Sequence, residues 1–369
     1  MKSLDCEEID VEEKWLKLYE KLVNTDTGFD IDLSTKLKRT SFIAEILRKM
    51  GFEVHQEEAA HVALIGREPY LTLIGHLDTV FKEGESQRRP FQIKEDLVYG
   101  PGAADMKGGI VTLLATCELA RKAGIDNLCV ILNVDEELGS KTSRTTFYKY
   151  ASKSKCCLSF EPGGVNGEVV ASRKGIVSMN LTVKGKKGHA SRLNEGANAL
   201  VEACRKIDKI YSLNGVFGDL TLNPTIMNAG EKSNITPDLC NAYFDVRFST
   251  KQDLEDCKKK IAEICSTSSI EGTACEFSFQ ERRPAMEFHE QMKIALEKAF
   301  QRIGNRFELQ HSSGGADSAF FHELGVPAID GLGITGGRFH SEEEYAILDS
   351  FEPRVLLSLE LLRHFAQKR

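Results

Sequence analysis

A chain of 369 residues exceeds what one hydrophobic core ordinarily serves, so two domains are expected, and its 41% hydrophobic and 28% charged residues are those of a globular protein. No stretch reaches the roughly 20 apolar residues that a membrane-crossing helix needs. A formal charge of −7, with no basic cluster interleaved with aromatics, argues against a nucleic-acid surface and leaves a small molecule or peptide as the partner.

The acidic opening, MKSLDCEEIDVEEKW, lacks the apolar centre of a signal peptide, which predicts a cytoplasmic protein. The ten cysteines are scattered and form no CxxC pair, so they read as buried free thiols rather than a disulfide framework.

Apolar spacing predicts helices over residues 11–23 and 35–50, the second closed by Gly51. Apolar runs at Tyr70 to Ile74 and Leu128 to Val134 predict buried strands around a helix from Gly108 to Lys122. This alternation predicts an α/β domain with a central, mostly parallel sheet flanked by helices. From Ser172 the pattern changes to alternating strands (VSMNLTVKG, NAYFDVRFS) and helices (Ala197 to Tyr211, Gln252 to Cys265), a smaller α+β unit with one sheet face exposed. The chain then returns to a helix at Glu290 to Ile303, a glycine-rich loop, a strand at Val326 to Ile329 and a last helix at Glu352 to Phe365. The expected organisation is therefore one discontinuous domain, 1–171 and 281–369, interrupted by a second at 172–280.

Five motifs fall at strand ends or in loops, where function concentrates. GHLDTV offers His76 as an imidazole ligand, with Asp78 as a carboxylate able to orient that ring. GPGAADMKGG sets Asp105 among residues that let the backbone approach a ligand closely. NVDEELGS ends an apolar strand in Glu136 and Glu137, whose side chains diverge, so that one can bind metal and the other handle protons. SFEPGG supplies Glu161, and GGRFHSEEEY supplies His340. Two histidines, one aspartate and two glutamates suit zinc, and five such ligands hold two ions if one bridges; Asp105 is the natural bridge. No HExxH motif occurs, which disfavours a mononuclear metalloprotease.

Taken in order, HLDTV, GxGAADMKGG, DEExGS, EPxG, KGxxGHAS, DVRF and FHSxxEY resemble the di-zinc carboxypeptidase and deacylase family that includes glutamate carboxypeptidase, succinyl-diaminopimelate desuccinylase, acetylornithine deacetylase and aminoacylase. The resemblance covers nearly the whole chain. It implies two Zn²⁺ per subunit, replaceable by Co²⁺ or Mn²⁺, with Asp105 bridging, His76 and Glu161 completing one site, and Glu137 and His340 the other. It implies Glu136 as general base, Asp78 as support for His76, and a cis Asp105–Met106 peptide. The insert would be a lid and dimerisation domain whose His189 reaches a partner's active site and donates to the oxyanion. Asn234, Arg247 and Arg283 match substrate-contacting positions, and Gly314 and Gly315 lie in a glycine-rich substrate loop. That loop departs from the family's GGGTD at Ser313 and Ala316, and EPGG has Gly163 where a small hydroxyl residue is common.

The activity implied is hydrolysis of a peptide or N-acyl amide bond next to a free carboxylate. A glutamate-carboxypeptidase-like enzyme leads, with an N-acyl-amino-acid deacylase or a dipeptidase as alternatives and a non-catalytic metal-stabilised binding module as the remote one.

Overall fold

The computed structural model describes residues 13–367. All but the last three residues of the acidic opening read for targeting lie outside them, as do the first two residues of the first expected helix. No helix among the described residues is long and apolar enough to cross a membrane.

The described residues pack as two compact units, residues 13–172 with 288–312 and 316–367, and residues 173–287 with 313–315. The first is built on a six-stranded sheet. Its centre is parallel: Tyr70–His76 lies between Leu128–Asn133 and Ser154–Ser159, with Ala328–Ile329 beyond the latter. Every residue of Tyr70–His76 and Leu128–Asn133 is buried, as an apolar run covered on both faces should be. Two antiparallel strands, Glu53–Gln56 and Ala60–Ile65, extend the sheet past Leu128–Asn133. Sequence reading missed this hairpin because His61 interrupts the apolar run; His61 is buried, its Nε2 3.1 Å from the Thr40 hydroxyl.

The helix Gly109–Lys122 buries ten residues and packs between the sheet and the terminal helix Phe351–Gln367, which explains why its apolar positions show little sidedness. The single helix expected over 35–50 is two, Leu33–Arg39 and Ser41–Lys49. Thr40 separates them: its backbone leaves helical geometry and its hydroxyl donates to the Lys36 carbonyl at 2.8 Å.

The second unit is a four-stranded antiparallel sheet in the order Thr221–Ala229, Leu239–Phe248, Gly175–Lys184, Ala274–Arg283. Strict alternation along Gly175–Lys184 buries Val177, Met179, Leu181 and Val183 in a core shared with the helices Ala199–Tyr211 and Lys251–Cys265.

Candidate metal centre

The five expected ligands all belong to the first unit, each at the end of a strand or in the loop that follows one. His76 is the last residue of its strand and is buried. Its Nδ1 lies 3.0 Å from the backbone carbonyl of Asp78, which assigns a proton to that nitrogen and turns Nε2 toward Asp105 as the nitrogen that could ligate a metal. The Asp78 carboxylate is 3.5 Å from the ring. Its stronger engagement is elsewhere: Oδ1 and Oδ2 accept the backbone N–H groups of Glu136 and Glu137 at 3.2 and 3.1 Å. The strand stops at His76, so the chain bends and brings Asp78's carbonyl, more closely than its carboxylate, back to the imidazole.

Asp105 sits in a tight turn opened by Gly102, whose φ of 74° is left-handed and suits glycine, and the Asp105–Met106 peptide is cis. One carboxylate oxygen faces each histidine: Oδ1 is 3.1 Å from His76 Nε2 and Oδ2 is 3.2 Å from His340 Nε2. A glutamate stands beside each imidazole, Glu161 at 3.7 Å from His76 and Glu137 at 3.5 Å from His340. Donor atoms of His76, Asp105 and Glu137 lie within 4.8 Å of one another. His340 has φ 62°, a conformation uncommon outside glycine, and its side chain is 53% exposed, whereas Asp105 is 13% exposed.

Charge in this cluster is unbalanced, with three carboxylates facing two imidazoles. Burial pushes Glu161 up to about 7 and raises Glu137. Burial would also raise Asp105, but His340 and His76 outweigh it and hold that carboxyl below the usual range. Burial opposes a charge on His76, yet Glu161, Asp105 and Asp78 hold its pKa well above the ordinary value. Hydrogen bonding to Asp105 and Glu137 pushes His340 up to about 10. Protons are thus retained where a divalent cation would otherwise compensate, and this donor set fits such ions.

The second unit holds the remaining candidates. His189 and Asn234 are exposed on paired loops: Ala190 N–H donates to the Asn234 carbonyl at 3.0 Å, and the His189 ring contacts Ser191 Oγ at 2.8 Å. Arg247 and Arg283 both register against Ile176, from the strands on either side of it. Arg247 is chelated by Asp245, with nitrogen–oxygen distances of 2.7 and 3.1 Å, and its Nη1 reaches the Ser313 carbonyl at 3.4 Å. Arg283 is only 4% exposed, and a side chain at Gly315 would meet its Cγ at 3.0 Å. Arg173, which sequence reading passed over, reaches the Gly314 carbonyl at 3.4 Å.

Two supports of the metal cluster, centred on Asn133 and on Glu344, were also not singled out. Asn133 donates to Asp317 at 2.9 Å and approaches Ser143 at 3.1 Å, tying the strand before Glu136 to the loop before Ser318. Glu344, the last acid of SEEEY, is fully buried against the Asp105 turn, and burial pushes it up to about 7. A run of three acids after a strong ligand candidate was the available signal.

Among curated proteins, the chain is 30% identical over 366 residues to carboxypeptidase G2 of Pseudomonas sp., covering 94% of this chain and 88% of that protein. It is 26% identical over 329 residues to succinyl-diaminopimelate desuccinylase of Alkalilimnicola ehrlichii, covering 82% and 87%. Among solved structures, aminopeptidase PepT from Bacillus cereus superposes with TM-score 0.79 at 18% identity, covering 96% of this chain and 99% of that one. A tripeptidase from Staphylococcus aureus does so with TM-score 0.77 at 19% identity, covering 96% and 98%. Residues 72–364 match peptidase family M20/M25/M40, and the chain therefore belongs to that family of metal-dependent hydrolytic enzymes.

Proposed function

We propose that this enzyme is a two-zinc amidohydrolase that releases an amino acid from a peptide or N-acyl amide bond next to a free carboxylate, acting as a carboxypeptidase. The observation that carries the reading is Asp105, with one oxygen turned to His76 and the other to His340, each imidazole paired with its own glutamate. His76 and Glu161 would hold one ion, Glu137 and His340 the other, and Asp105 both, with Co²⁺ or Mn²⁺ as substitutes. Bound zinc would supply Lewis acidity toward the substrate carbonyl and lower the pKa of water.

Glu136, its backbone fixed by Asp78, takes the proton of the attacking water and delivers it to the leaving amine. His189 donates to the developing oxyanion. Asn234, Arg247, Arg283 and the Gly314–Gly315 loop bind substrate, the guanidinium groups suiting its carboxylate through paired hydrogen bonds. The 30% identity to carboxypeptidase G2 favours a carboxypeptidase, while the desuccinylase relative keeps an N-acyl-amino-acid deacylase as the second reading.

We also infer a homodimer formed through the second unit. Its edge strand, Thr221–Ala229, pairs on one side only and exposes Ile226 and Met227, 55% and 47% accessible, a surface that strand or helix pairing would cover. A reducing, cytoplasmic setting accords with the nine described cysteines, all free and seven of them buried.

The test is amino-acid release from N-acyl amino acids, α- and γ-glutamyl conjugates and dipeptides, with zinc-loaded and chelator-treated enzyme compared. Chelator-sensitive release of a C-terminal residue from peptides supports the carboxypeptidase. Release from simple N-acyl amino acids alone replaces it with the deacylase.

A further inference from the structure

We infer that Glu344 is the positioning residue for the bridging aspartate, fixing the backbone from which Asp105 reaches toward both histidines; the inference rests on the two-cation reading above. Three amide N–H groups of one turn converge on this carboxylate. Ala104 and Asp105 donate to Oε1 at 2.9 and 3.0 Å, and Gly102 approaches Oε2 at 3.4 Å. The left-handed backbone at Gly102 aims the amides of the turn to one side, creating an anion-receiving concavity that the protein fills with its own carboxylate.

Burial makes the arrangement stiff. Glu344 is 0% exposed, and Gly102 and Ala104 are buried, so water does not compete for these donors. The amide nitrogen of Asp105 is bonded directly to its Cα, so fixing the N–H direction limits where the carboxylate can swing. From the other side of the turn, the Tyr19 hydroxyl donates to the Ala103 carbonyl. Glu342 and Glu343 are exposed and pair with Arg88 and Arg338, so of the three consecutive acids only Glu344 is committed to the site.

Glu344 also couples two ligands. It lies four residues after His340, and its own N–H donates to the Ser341 carbonyl at 3.3 Å, closing the segment that carries that histidine. One short segment thus supplies a candidate ligand and the anchor of the bridging carboxylate, which sets the 3.2 Å separation of His340 and Asp105.

The experiment measures zinc affinity and bound zinc per chain by competition with a chromophoric chelator and by elemental analysis, together with kcat and KM, for wild type, E344A, E344Q, E344D and D105N. Melting of each chelated protein separates lost positioning from lost folding. E344A is expected to bind zinc about 10- to 100-fold more weakly and to lose kcat by a similar factor, with KM within about twofold. E344Q keeps a carbonyl oxygen for the Ala104 and Asp105 amides and should stay within about threefold of wild type. E344D keeps the charge but shortens the reach, and it should fall between the two; it carries the test if E344A does not fold. Wild-type zinc affinity in E344A or E344D, or a loss in E344Q equal to that in E344A, overturns the inference. D105N and the wild-type zinc count report on the underlying reading: fewer than two ions per wild-type chain overturns the two-cation centre, and two ions held by D105N at wild-type affinity overturns Asp105 as their bridge, whereas loss in D105N with none in E344A removes only the role of Glu344.

Discussion

Asp78 grips Glu137 by its backbone, Oδ2 accepting the Glu137 N–H at 3.1 Å, while the carbonyl of the same aspartate accepts from His76 at 3.0 Å. One buried residue therefore sets the orientation of two proposed ligands, His76 at the end of its strand through a backbone carbonyl that alanine would keep, and Glu137 in the 3-10 turn Glu136–Leu138 through its carboxylate. Replacing it with alanine should lower metal affinity and kcat by about 10- to 100-fold. Asparagine should lie between, because its single carbonyl oxygen can serve one of the two amides. Zinc titration alongside steady-state kinetics checks this, and a D78A enzyme with unchanged metal affinity refutes it.

Glu136 follows Asp135, whose buried carboxylate accepts the N–H groups of Thr142 and Ser143 at 2.8 and 3.2 Å and so pins the loop on its far side. As general base, Glu136 should be dispensable for metal binding and indispensable for turnover. E136A and E136Q are expected to lose about 10²- to 10⁴-fold in kcat while retaining the wild-type zinc content. Near-normal turnover in E136Q would remove the assignment.

Arg283, nearly enclosed and packed beside Gly315, is one of the two arginines proposed to hold a substrate carboxylate; the other, Arg247, is chelated by Asp245. R283A should reduce kcat/KM by about tenfold or more for substrates bearing a free carboxylate. It should change little for the same substrates capped as amides. Equal losses on both would indicate a packing role.

The buried imidazole of His61 gives a pH dependence unconnected with the metal cluster. Burial holds its pKa at about 4, below the ordinary 6.5, so the unfolded chain binds the proton more readily than the folded one. Its contribution to stability is full above pH 6.5, falls as the pH drops toward 4, and is lost below that. Thermal melts of the chelated protein at pH 7, 5.5 and 4.5 should show a smaller loss for H61Q than for wild type. Parallel curves would exclude His61 as a source of the slope.

The candidate centre was unusually legible because its side chains stand at the ends of apolar runs, and local sequence reveals such places. His76 closes Tyr70–His76, and Glu136 and Glu137 come three and four positions after the last residue of Leu128–Asn133. Element boundaries were less legible wherever a side chain competed with the backbone, as Thr40 does between two helices, or where a polar residue such as His61 is buried by its partners.

By itself the sequence determined the kinds of donor available, their order along the chain, and the α/β and α+β patterns, since each follows from residue type and short-range periodicity. Only the tertiary structure decided which carboxylate serves which donor. Glu344 meets the Asp105 amide across 239 positions, Asn133 meets Asp317 across 184, and Asp78 turns to the Glu136 loop rather than chiefly to the imidazole beside it. Such pairings depend on strand order and on where the chain bends after each strand, and neither leaves a local mark in the sequence.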